Sequence, residues 1–400
     1  MTSSSHPASR GVTVLLVDDQ PIIGEAVRRM LSGEEGLSLH YCRDAPAALD
    51  MAASVGPSVI LQDLVMPDIE GLELVRRFRA DPRFADVPII VLSTKEEAAV
   101  KAEAFALGAN DYIVKLPDRL ELVARLRHHS RGYIALQERN EAFTALQASQ
   151  QVLANDLATA ARYVRSLLPA PRDAAGIRAD WRFMPSAALG GDAFGYHAID
   201  DDHFAVYLLD VCGHGVGAAL LSVSALNAIR SEALAQTDFL EPGSVLAALN
   251  KAFPMERQND MFFTIWYGVY RASTRTLRWA GGGHPPALLL AADGSTPLLL
   301  DSDGPLIGAV DGLEFDSSAV VVPTGARLYV YSDGAFEISR PDGSMWPFKD
   351  FLASFSAPPA VQGGPPGTSG RIDALLELIR GISGRDDFND DFSMVELVLA

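Results

Sequence analysis

The chain has 400 residues, 48% of them hydrophobic, and a net charge of −18. This length favours two or more domains, and no apolar run approaches the ~20 residues that a membrane span needs. Residues 131–400 hold 19 Lys and Arg against 32 Asp and Glu, which argues against nucleic acid as a partner because phosphate binding needs clustered basic residues. The polar N-terminus (1–11) lacks an apolar secretory segment, and the two cysteines form no framework of disulfide spacings, so a cytoplasmic protein without membrane attachment is predicted.

Residues 12–131 alternate short apolar runs with amphipathic stretches, and they form the first predicted domain. Four runs have the β-branched composition of buried strands: VTVLLV, PSVILQ, VPIIVLS and DYIVK. Stretches with helical spacing lie between them, for example GLELVRRFRA. Alternating strands and helices predict an α/β domain with a doubly wound parallel sheet, whose ligands bind at the carboxyl ends of the strands.

Polar residues occur at the ends of these predicted strands. Asp18 and Asp19 follow the first strand, Asp63 follows PSVILQ, Ser93 ends VPIIVLS and Lys115 ends DYIVK. In a parallel sheet these ends gather at one rim, so three carboxylates, a hydroxyl and an ammonium are expected to meet. Three carboxylates repel one another unless a cation lies among them, and Mg²⁺ takes oxygen ligands.

With this set of residues the segment resembles the receiver domain of two-component response regulators, which has a (βα)5 fold. The resemblance implies that Asp63, in LQDLVMPDIEG, accepts a phosphoryl group from a histidine kinase or a phosphotransfer protein. The implied Mg²⁺ ligands are Asp18, Asp19, Asp63 and the carbonyl of Val65. The implied switch residues are Ser93, Tyr112 and Lys115. In KLPD, however, Leu116 separates the lysine from Pro117, so the family's usual cis Lys–Pro bond is absent and its loop shape does not carry over.

Residues 132–171 are predicted to form a helical linker. Between about 126 and 168 there is no proline, and Gly132 is the only glycine. Taking Leu136 as the first heptad position, eight of ten a and d positions through Leu167 are apolar or Ala, which favours a dimeric coiled coil. The alternative is a long helix packed on its own domains. Pro169 and Pro171 end the helical pattern.

Residues 172–400 form the last predicted domain, with an α+β composition. FAVYLLDV, MFFTIWYGVYR, TLRWAGG, ARLYVYSDG and FSMVELVL are predicted strands, several joined by hairpin turns. Helices are predicted after Gly215, in SVLAALNKAF and in RIDALLELIRGI, and residues 356–370 are a predicted Pro/Gly-rich loop.

Aspartates lie at four places in this domain, each at the start or end of a predicted strand and beside a glycine or another small turn. They are Asp192 in LGGDAFG, Asp210 in LLDVCGHG, Asp333 in VYSDGAFE, and Asp390 with Asp391 in NDDFSMVEL. Carboxylates without a His/Cys cluster favour a hard cation, Mg²⁺ or Mn²⁺, over zinc. Two such ions can hold the oxygens of an in-line phosphoryl displacement.

The order and wording of these motifs resemble the bacterial branch of the metal-dependent Ser/Thr protein phosphatases (the PPM family), which have an α-β-β-α sandwich. The resemblance implies hydrolysis of phosphoserine or phosphothreonine by a metal-activated water, with an anti-sigma-factor antagonist as a candidate substrate. The implied ligands of two Mg²⁺ or Mn²⁺ ions, and thus the catalytic residues, are Asp192, Asp210, the Val211 carbonyl, Asp333, Asp390 and, less regularly in the family, Asp391.

Three alternatives are weighed against this interpretation. A diguanylate cyclase is disfavoured because Ala193 replaces the second acid of its Gly-Gly-Asp/Glu-Glu-Phe motif, and a DNA-binding output lacks a basic surface. A catalytically silent phosphatase fold that acts as a phosphorylation-gated adaptor would be expected to lack some of the acids, and none is missing.

His214 and His284 lie in glycine-rich turns, where we predict structural hydrogen bonding.

Overall fold

The computed structural model describes residues 10–94, 97–174, 176–292, 297–301, 303–355 and 370–400. The chain divides into two compact units, residues 1–151 and 152–400. None of the helices in the described ranges combines the length and the apolar character needed to cross a membrane. The predicted loop at 356–370 lies outside the described residues apart from Gly370, as does the predicted polar tail up to residue 9.

The first unit contains a five-stranded parallel sheet in the order β2-β1-β3-β4-β5. Its strands are β1 (Val12–Val17), β2 (Leu37–Cys42), β3 (Val59–Asp63), β4 (Ile89–Ser93) and β5 (Asp111–Val114). Its helices are α1 (Pro21–Leu31), α2 (Ala48–Val55), α3 (Gly71–Ala80) and α4 (Ala98–Ala106). Apolar clusters cover both faces of the sheet. The predicted doubly wound parallel fold is therefore confirmed.

Strand β2 was not among the runs identified from the sequence. Its residues, LSLHYC, alternate apolar positions with Ser38 and His40, and most of them are only half-buried. An edge strand has one exposed side and so does not show the continuous apolar run of a central strand. Its register is set by β1, with Val12 opposite Leu37 and Val17 opposite Cys42.

Helix α5 (Arg119–Ser166) is a single helix of 48 residues. It begins before the predicted linker, and Leu122 and Leu126 near its start are buried in the core of the first unit. Farther along, the predicted heptad residues Phe143, Leu146 and Leu153 have 60%, 55% and 60% of their surface exposed. These three residues of the predicted coiled-coil stripe are thus uncovered in the single chain, whereas Leu136, Leu157, Val164 and Leu167 are half-buried.

The second unit contains two antiparallel sheets. The first has the strand order β14-β11-β10-β9-β8, and the second has the order β13-β12-β15-β16-β7-β6. The strands are β6 (Arg172–Ala174), β7 (Ile177–Met184), β8 (Ala193–Ala198), β9 (His203–Val211), β10 (Phe263–Arg271), β11 (Thr276–Gly282), β12 (Ala287–Leu290), β13 (Leu298–Leu300), β14 (Ser318–Val321), β15 (Ala326–Tyr331) and β16 (Phe392–Leu399). The helices are α6 (Val216–Arg230), α7 (Pro242–Ala252), α8 (Phe348–Ser354) and α9 (Gly370–Ser383).

These elements form four layers because successive residues of a strand point to opposite faces. In β9, Val206 and Leu208 belong to the apolar core between the two sheets. Tyr207 and Leu209 face the other way and pack with α6 and α7. On the outer face of the second sheet, α8 and α9 cover Tyr329 and its neighbours. The α-β-β-α sandwich is confirmed.

Two glycines of the first unit allow a matched test of its packing. A Cβ on Gly71 would lie 2.4 Å from the carbonyl oxygen of Asp63, whereas a Cβ on Gly132 would meet nothing within 4 Å. We expect Gly71→Ala to lower the free energy of unfolding by about 1–3 kcal/mol through overpacking. Gly132→Ala, inside α5, should raise it by about 0.5–1 kcal/mol. Urea titration of the full chain measures both, and equal midpoints for the two variants would contradict the expectation.

Candidate metal and phosphorylation sites

Three carboxylates meet at the carboxyl edge of the parallel sheet. Asp18 and Asp19 follow β1, and Asp63 ends β3, with one oxygen of each lying within 4.8 Å of the others. Asp18 and Asp63 are buried. The Oδ1 atom of Asp19 is buried and has no hydrogen-bond partner among the described residues. The three acids predicted to lie together are therefore adjacent, and one of their oxygens is unpaired.

Lys115 provides a partial internal counter-charge for this cluster. Its Nζ lies 2.7 Å from Oδ2 of Asp63 and 3.0 Å from Oδ2 of Asp18. Burial alone would lower the pKa of Lys115, but hydrogen bonds to Asp63 and Asp18 raise it overall. Burial raises the pKa of Asp18 even though Gln20 and Lys115 act against the shift. One ammonium thus faces three carboxylates, an electrostatic imbalance that suits a divalent cation with oxygen ligands.

The other predicted receiver residues lie close by in the fold. Ser93 ends β4, the strand next to β3, and its side chain is buried. Tyr112 in β5 is also buried, and Nζ of Lys101 lies 5.2 Å from the centre of its ring. Val65 lies just after β3 with an exposed side chain. The Lys101–Tyr112 contact, which joins α4 to β5, was not predicted from the sequence.

The loop after Lys115 departs from regular backbone. Leu116 has a φ of +56°, and its side chain is exposed. Left-handed conformations at residues other than glycine, asparagine and aspartate are uncommon. The described residues contain no cis peptide bond. The insertion of Leu116 before Pro117 is therefore accommodated by a left-handed residue.

At one end of the sandwich in the second unit, the inward-facing residues of the strands change from apolar to acidic. We call this end, which carries Asp192, Asp210, Asp333 and Asp390, the acid end. In β9 the inward row runs through Val206 and Leu208 to Asp210. Ala193 of β8 pairs with Leu209 of β9, so the next position in this register places Asp192 opposite Asp210. Like charges directly opposite on neighbouring strands destabilise a sheet. The pair therefore requires either protonation or a cation.

The second sheet brings further acids to the same end. Asp333 follows β15, and Asp390 precedes β16. Burial raises the pKa of Asp210 to about 8, and the charges of Asp333 and Asp390 add to the shift. Burial and then the charge of Asp390 raise the pKa of Asp333 to about 6. The four predicted aspartates are thus close enough to perturb one another, and they come from both sheets.

Asp192 is the most deeply buried of these acids, with 2% of its surface exposed. Burial, followed by the charge of Asp210, raises its pKa well above the ordinary value. Its carboxylate oxygens make no hydrogen bond of ordinary geometry within the described part of the chain, although interactions with the hydroxyls of Ser393 and Ser332 act against the rise of its pKa. Buried polar atoms are almost always paired. Two buried carboxylate oxygens that face other carboxylates fit ligands of a hard cation.

Asp391 is engaged differently from its neighbours. Its Oδ1 accepts hydrogen bonds from the backbone nitrogen and the hydroxyl of Ser186, at 2.8 and 2.9 Å. Its Oδ2 accepts from the backbone nitrogen of Gly191 at 2.6 Å and, more weakly, from that of Asp192 at 3.4 Å. These donors occupy both oxygens of the carboxylate. Asp391 therefore ties the start of β16 to the loop that presents Asp192.

The glycines around the acid end permit this close packing. A Cβ on Gly190 would lie 2.1 Å from Oδ2 of Asp391, and one on Gly191 would lie 2.5 Å from the carbonyl oxygen of Val211. Gly334 is similarly tight, since its Cβ would lie 2.2 Å from the carbonyl oxygen of Asp391. Glycine is required at all three positions for the backbones to approach.

Sequence reasoning missed the serines of the acid end. The Ser332 hydroxyl donates to the carbonyl of Asp391 at 2.9 Å and accepts from the backbone nitrogen of Ser393 at 3.0 Å. Its position directly before Asp333 was the feature of the sequence that could have indicated this role for Ser332.

Cys212 is half-buried, and its sulfur accepts a hydrogen bond from the backbone nitrogen of Phe262 at 3.3 Å. His214 is exposed, whereas His284 is buried.

Two family matches cover most of the chain. Residues 200–399 match the family described as Stage II sporulation protein E (SpoIIE). Residues 14–127 match the response regulator receiver domain. The first match begins after Asp192 and contains the other aspartates of the acid end.

Individual relatives agree with each half. The phosphoserine phosphatase RsbP of Bacillus subtilis (strain 168) is 32% identical over 165 residues, which are 40% of this chain and 40% of that protein. The response regulator MprA of Mycobacterium tuberculosis (strain ATCC 25618 / H37Rv) is 37% identical over 116 residues, 29% of this chain and 49% of that protein. The chain thus spans less than half the length of these curated relatives.

A solved structure supports the fold of the second unit. The SiaA-PP2C domain of Pseudomonas aeruginosa has a TM-score of 0.52 and 18% sequence identity, covering 63% of this chain and 99% of that one. At this identity the likeness concerns the fold alone. Together with the family matches, it shows that the chain belongs to the SpoIIE family, with a response regulator receiver domain joined to a PP2C-type (PPM) phosphatase domain.

Proposed function

We propose that this chain is a cytoplasmic response regulator in which phosphorylation of Asp63 controls a metal-dependent phosphoserine/phosphothreonine protein phosphatase. The substrate class we propose is a phosphorylated protein of the anti-sigma-factor antagonist type, as the family resemblance implies. The name of the RsbP relative supports phosphoserine as the substrate residue. The two free cysteines, Cys42 and Cys212, suit a reducing compartment.

The convergence of Asp192, Asp210, Asp333 and Asp390 at the acid end is the observation that carries this proposal. Their mutual repulsion and the burial of the Asp192 carboxylate are costly in the free protein. A structure with no use for a cation would be more stable with amides at these positions. The cluster therefore favours an enzyme over the alternative, a silent adaptor, in which selection to keep all four acids would be absent.

The side chains of the acid end have separate tasks in this proposal. Asp192, Asp210, Asp333 and Asp390, with the carbonyl of Val211, would hold two Mg²⁺ or Mn²⁺ ions. When bound, such ions lower the pKa of a water molecule and stabilise the charge on the phosphoryl oxygens during in-line displacement. We assign Asp391 a positioning task instead of direct ligation, because its oxygens are occupied by the donors of Ser186, Gly191 and Asp192.

In the receiver domain, Asp63 would be the phosphoryl acceptor. We propose that Asp18, Asp19, Asp63 and the Val65 carbonyl hold Mg²⁺. The contact between Lys115 and Asp63 places an ammonium where it can pair with an added phosphoryl oxygen. Ser93 would donate to another phosphoryl oxygen. The buried ring of Tyr112, the proposed switch residue, would shift in response to phosphorylation. The partner supplying the phosphoryl group would be a histidine kinase or a phosphotransfer protein.

Helix α5 is the proposed connection between phosphorylation and hydrolysis. The residue after its last turn, Leu167, packs against the core formed with α6 and α7. Arg230, at the end of α6, donates from Nη1 to the carbonyl of Leu167 at 3.2 Å. Helix α6 starts at Val216, shortly after Asp210. A shift in α5 can therefore reach the loop that carries a proposed metal ligand.

The exposed heptad residues support the proposal that the chain is a homodimer. Phe143, Leu146 and Leu153 expose apolar surface that a second α5 would cover. Large exposed apolar patches on soluble chains mark interaction surfaces.

The phosphatase assignment predicts the effect of neutralising one acid at a time. Asp210→Asn and Asp333→Asn should each lower Mn²⁺-dependent hydrolysis of a phosphorylated antagonist protein by about 1,000-fold or more, because metal ions contribute several kcal/mol to such barriers. The fold should persist, since amides relieve the repulsion. Phosphate release measures the rate, and circular dichroism checks the fold. Asp316→Asn, in an exposed loop, is the matched control; wild-type rates in both site variants would refute the assignment.

Control by phosphorylation predicts a response that depends on Asp63. A small-molecule phosphodonor should change the phosphatase rate of the wild-type chain, because a new charge at Asp63 reorganises the rim that includes Lys115 and Ser93. Asp63→Asn should remove this response and keep the basal rate. The rate is measured with and without phosphodonor in both proteins. Identical rates under all four conditions would disprove the coupling.

The homodimer predicts that a charge on the exposed stripe weakens self-association. Leu153→Asp places a carboxylate at a predicted d position and should raise the dimer dissociation constant by at least tenfold. Val152→Asp, a neighbouring exposed residue outside the a and d positions, is the matched control and should change it little. Sedimentation velocity across a concentration series measures both, and a monomeric wild type would refute the proposed homodimer.

A further inference from the structure

His284 is a buried histidine that none of the proposed catalytic steps uses. It lies in the turn between β11 and β12, within GGGHPP, and 5% of its surface is exposed. We propose that His284 is a positioning residue that fixes the separation of the two sheets at the acid end and thereby sets metal affinity. This inference rests on the proposed function, because it concerns the same metal centre.

The ring of His284 contacts both sheets. Its Nδ1 lies 2.7 Å from Oγ1 of Thr264 in β10. The ring also forms a hydrogen bond with the backbone of Tyr331 in β15, one that favours the protonated ring and is therefore made to the carbonyl oxygen. A carbonyl only accepts, so the nitrogen facing Tyr331 carries the hydrogen.

The two partners of the ring are closely linked to proposed metal ligands. Thr264 pairs directly with Asp210 across the β9–β10 ladder, so both side chains lie on the same face of the first sheet. Tyr331 ends β15, two residues before Asp333. One ring therefore connects the strand beside Asp210 with the strand that leads to Asp333.

The protonation state of the ring suits this role. Burial lowers the pKa of His284 to about 3, against a smaller opposing effect from the hydrogen bond to Tyr331. The ring is therefore neutral at physiological pH, and its single N–H has one fixed direction. A neutral ring adds no charge to the acid end. It also lacks the acidic proton that a general acid near neutral pH would need.

The backbone that carries the ring is held in place. Gly283 has a φ of +64°, and its nitrogen donates to the carbonyl of Gly304 at 2.7 Å. A Cβ on Gly304 would lie 2.1 Å from the carbonyl oxygen of Gly281, so this approach requires glycine. The turn is thus fixed against a neighbouring loop, and the ring cannot adjust freely if the sheets separate.

Such a connection is needed because the acids of the two sheets repel one another. Asp210 of the first sheet and Asp333 of the second both have raised pKa values, partly from neighbouring carboxylates. Ligands must be held within about 0.5 Å of their working positions. Groups behind the ligands typically change metal affinity by about 10–100-fold when removed.

The test removes each hydrogen bond of the ring separately. We use the full chain in an Asp19→Asn background, so that the receiver cluster takes up less metal, and titrate Mn²⁺ calorimetrically. His284→Asn and Thr264→Val should each raise the Mn²⁺ dissociation constant by about 10–100-fold. Thr264→Ser keeps the hydroxyl and should retain wild-type affinity. At saturating Mn²⁺ the kcat of these variants should stay within about threefold of the parent, whereas loss of a general acid would lower kcat at every metal concentration.

His203→Asn is the matched control, because His203 begins β9 roughly 25 Å along the strand from Asp210. Its Mn²⁺ affinity should equal that of the parent. If His284→Asn does not fold, the proposal is tested by comparing the Mn²⁺ dissociation constants of Thr264→Val and Thr264→Ser. Parental Mn²⁺ affinity in Thr264→Val overturns the proposal. A parent chain that binds no Mn²⁺ at the acid end overturns the metal centre itself, and this inference with it.

Discussion

Repulsion among carboxylates at the acid end is the constraint on which the second unit depends. Two unit charges 4 Å apart repel by about 4 kcal/mol at an effective dielectric constant of 20. Asp192 and Asp210 face each other across β8 and β9, and the second sheet adds Asp333 and Asp390. The surrounding contacts offset this repulsion. Backbone donors fix Asp391, glycines allow close approach of main chain, and the His284 ring is the proposed link between the two sheets.

The receiver cluster meets the same electrostatic problem with a different solution. Its three acids have a permanent cation beside them, since Lys115 contacts both Asp18 and Asp63. The acid end has no comparable lysine or arginine contact to its four aspartates within the described residues. Its stability therefore depends more strongly on protons or on bound cations. This difference is consistent with the proposed phosphoryl acceptor in the receiver domain and with the proposed pair of divalent ions at the acid end.

Helix α5 shows how one element can serve two units. Near its start, Leu122 is buried in the receiver core, and just beyond its end Leu167 packs with α6 and α7. Between these points Phe143, Leu146 and Leu153 are exposed. A helix is stiff along its axis because every backbone group is bonded within it. The exposed middle is consistent with the proposed second copy, and the buried ends are consistent with the proposed transmission of a signal.

The amino-acid sequence by itself determined the classes of both domains, the long helix between them and the candidate acids. Apolar runs and periodicity are local properties, so buried strands such as VTVLLV and FAVYLLDV were identified within a residue or two of their bounds. The half-exposed strand β2 was missed because its pattern depends on its neighbour. Only the tertiary structure decided which acids face each other, that Asp391 is engaged by Ser186 and Gly191, and that His284 joins Thr264 to Tyr331. These contacts link residues far apart in the chain, and strand register, which no local pattern encodes, is what brings them together.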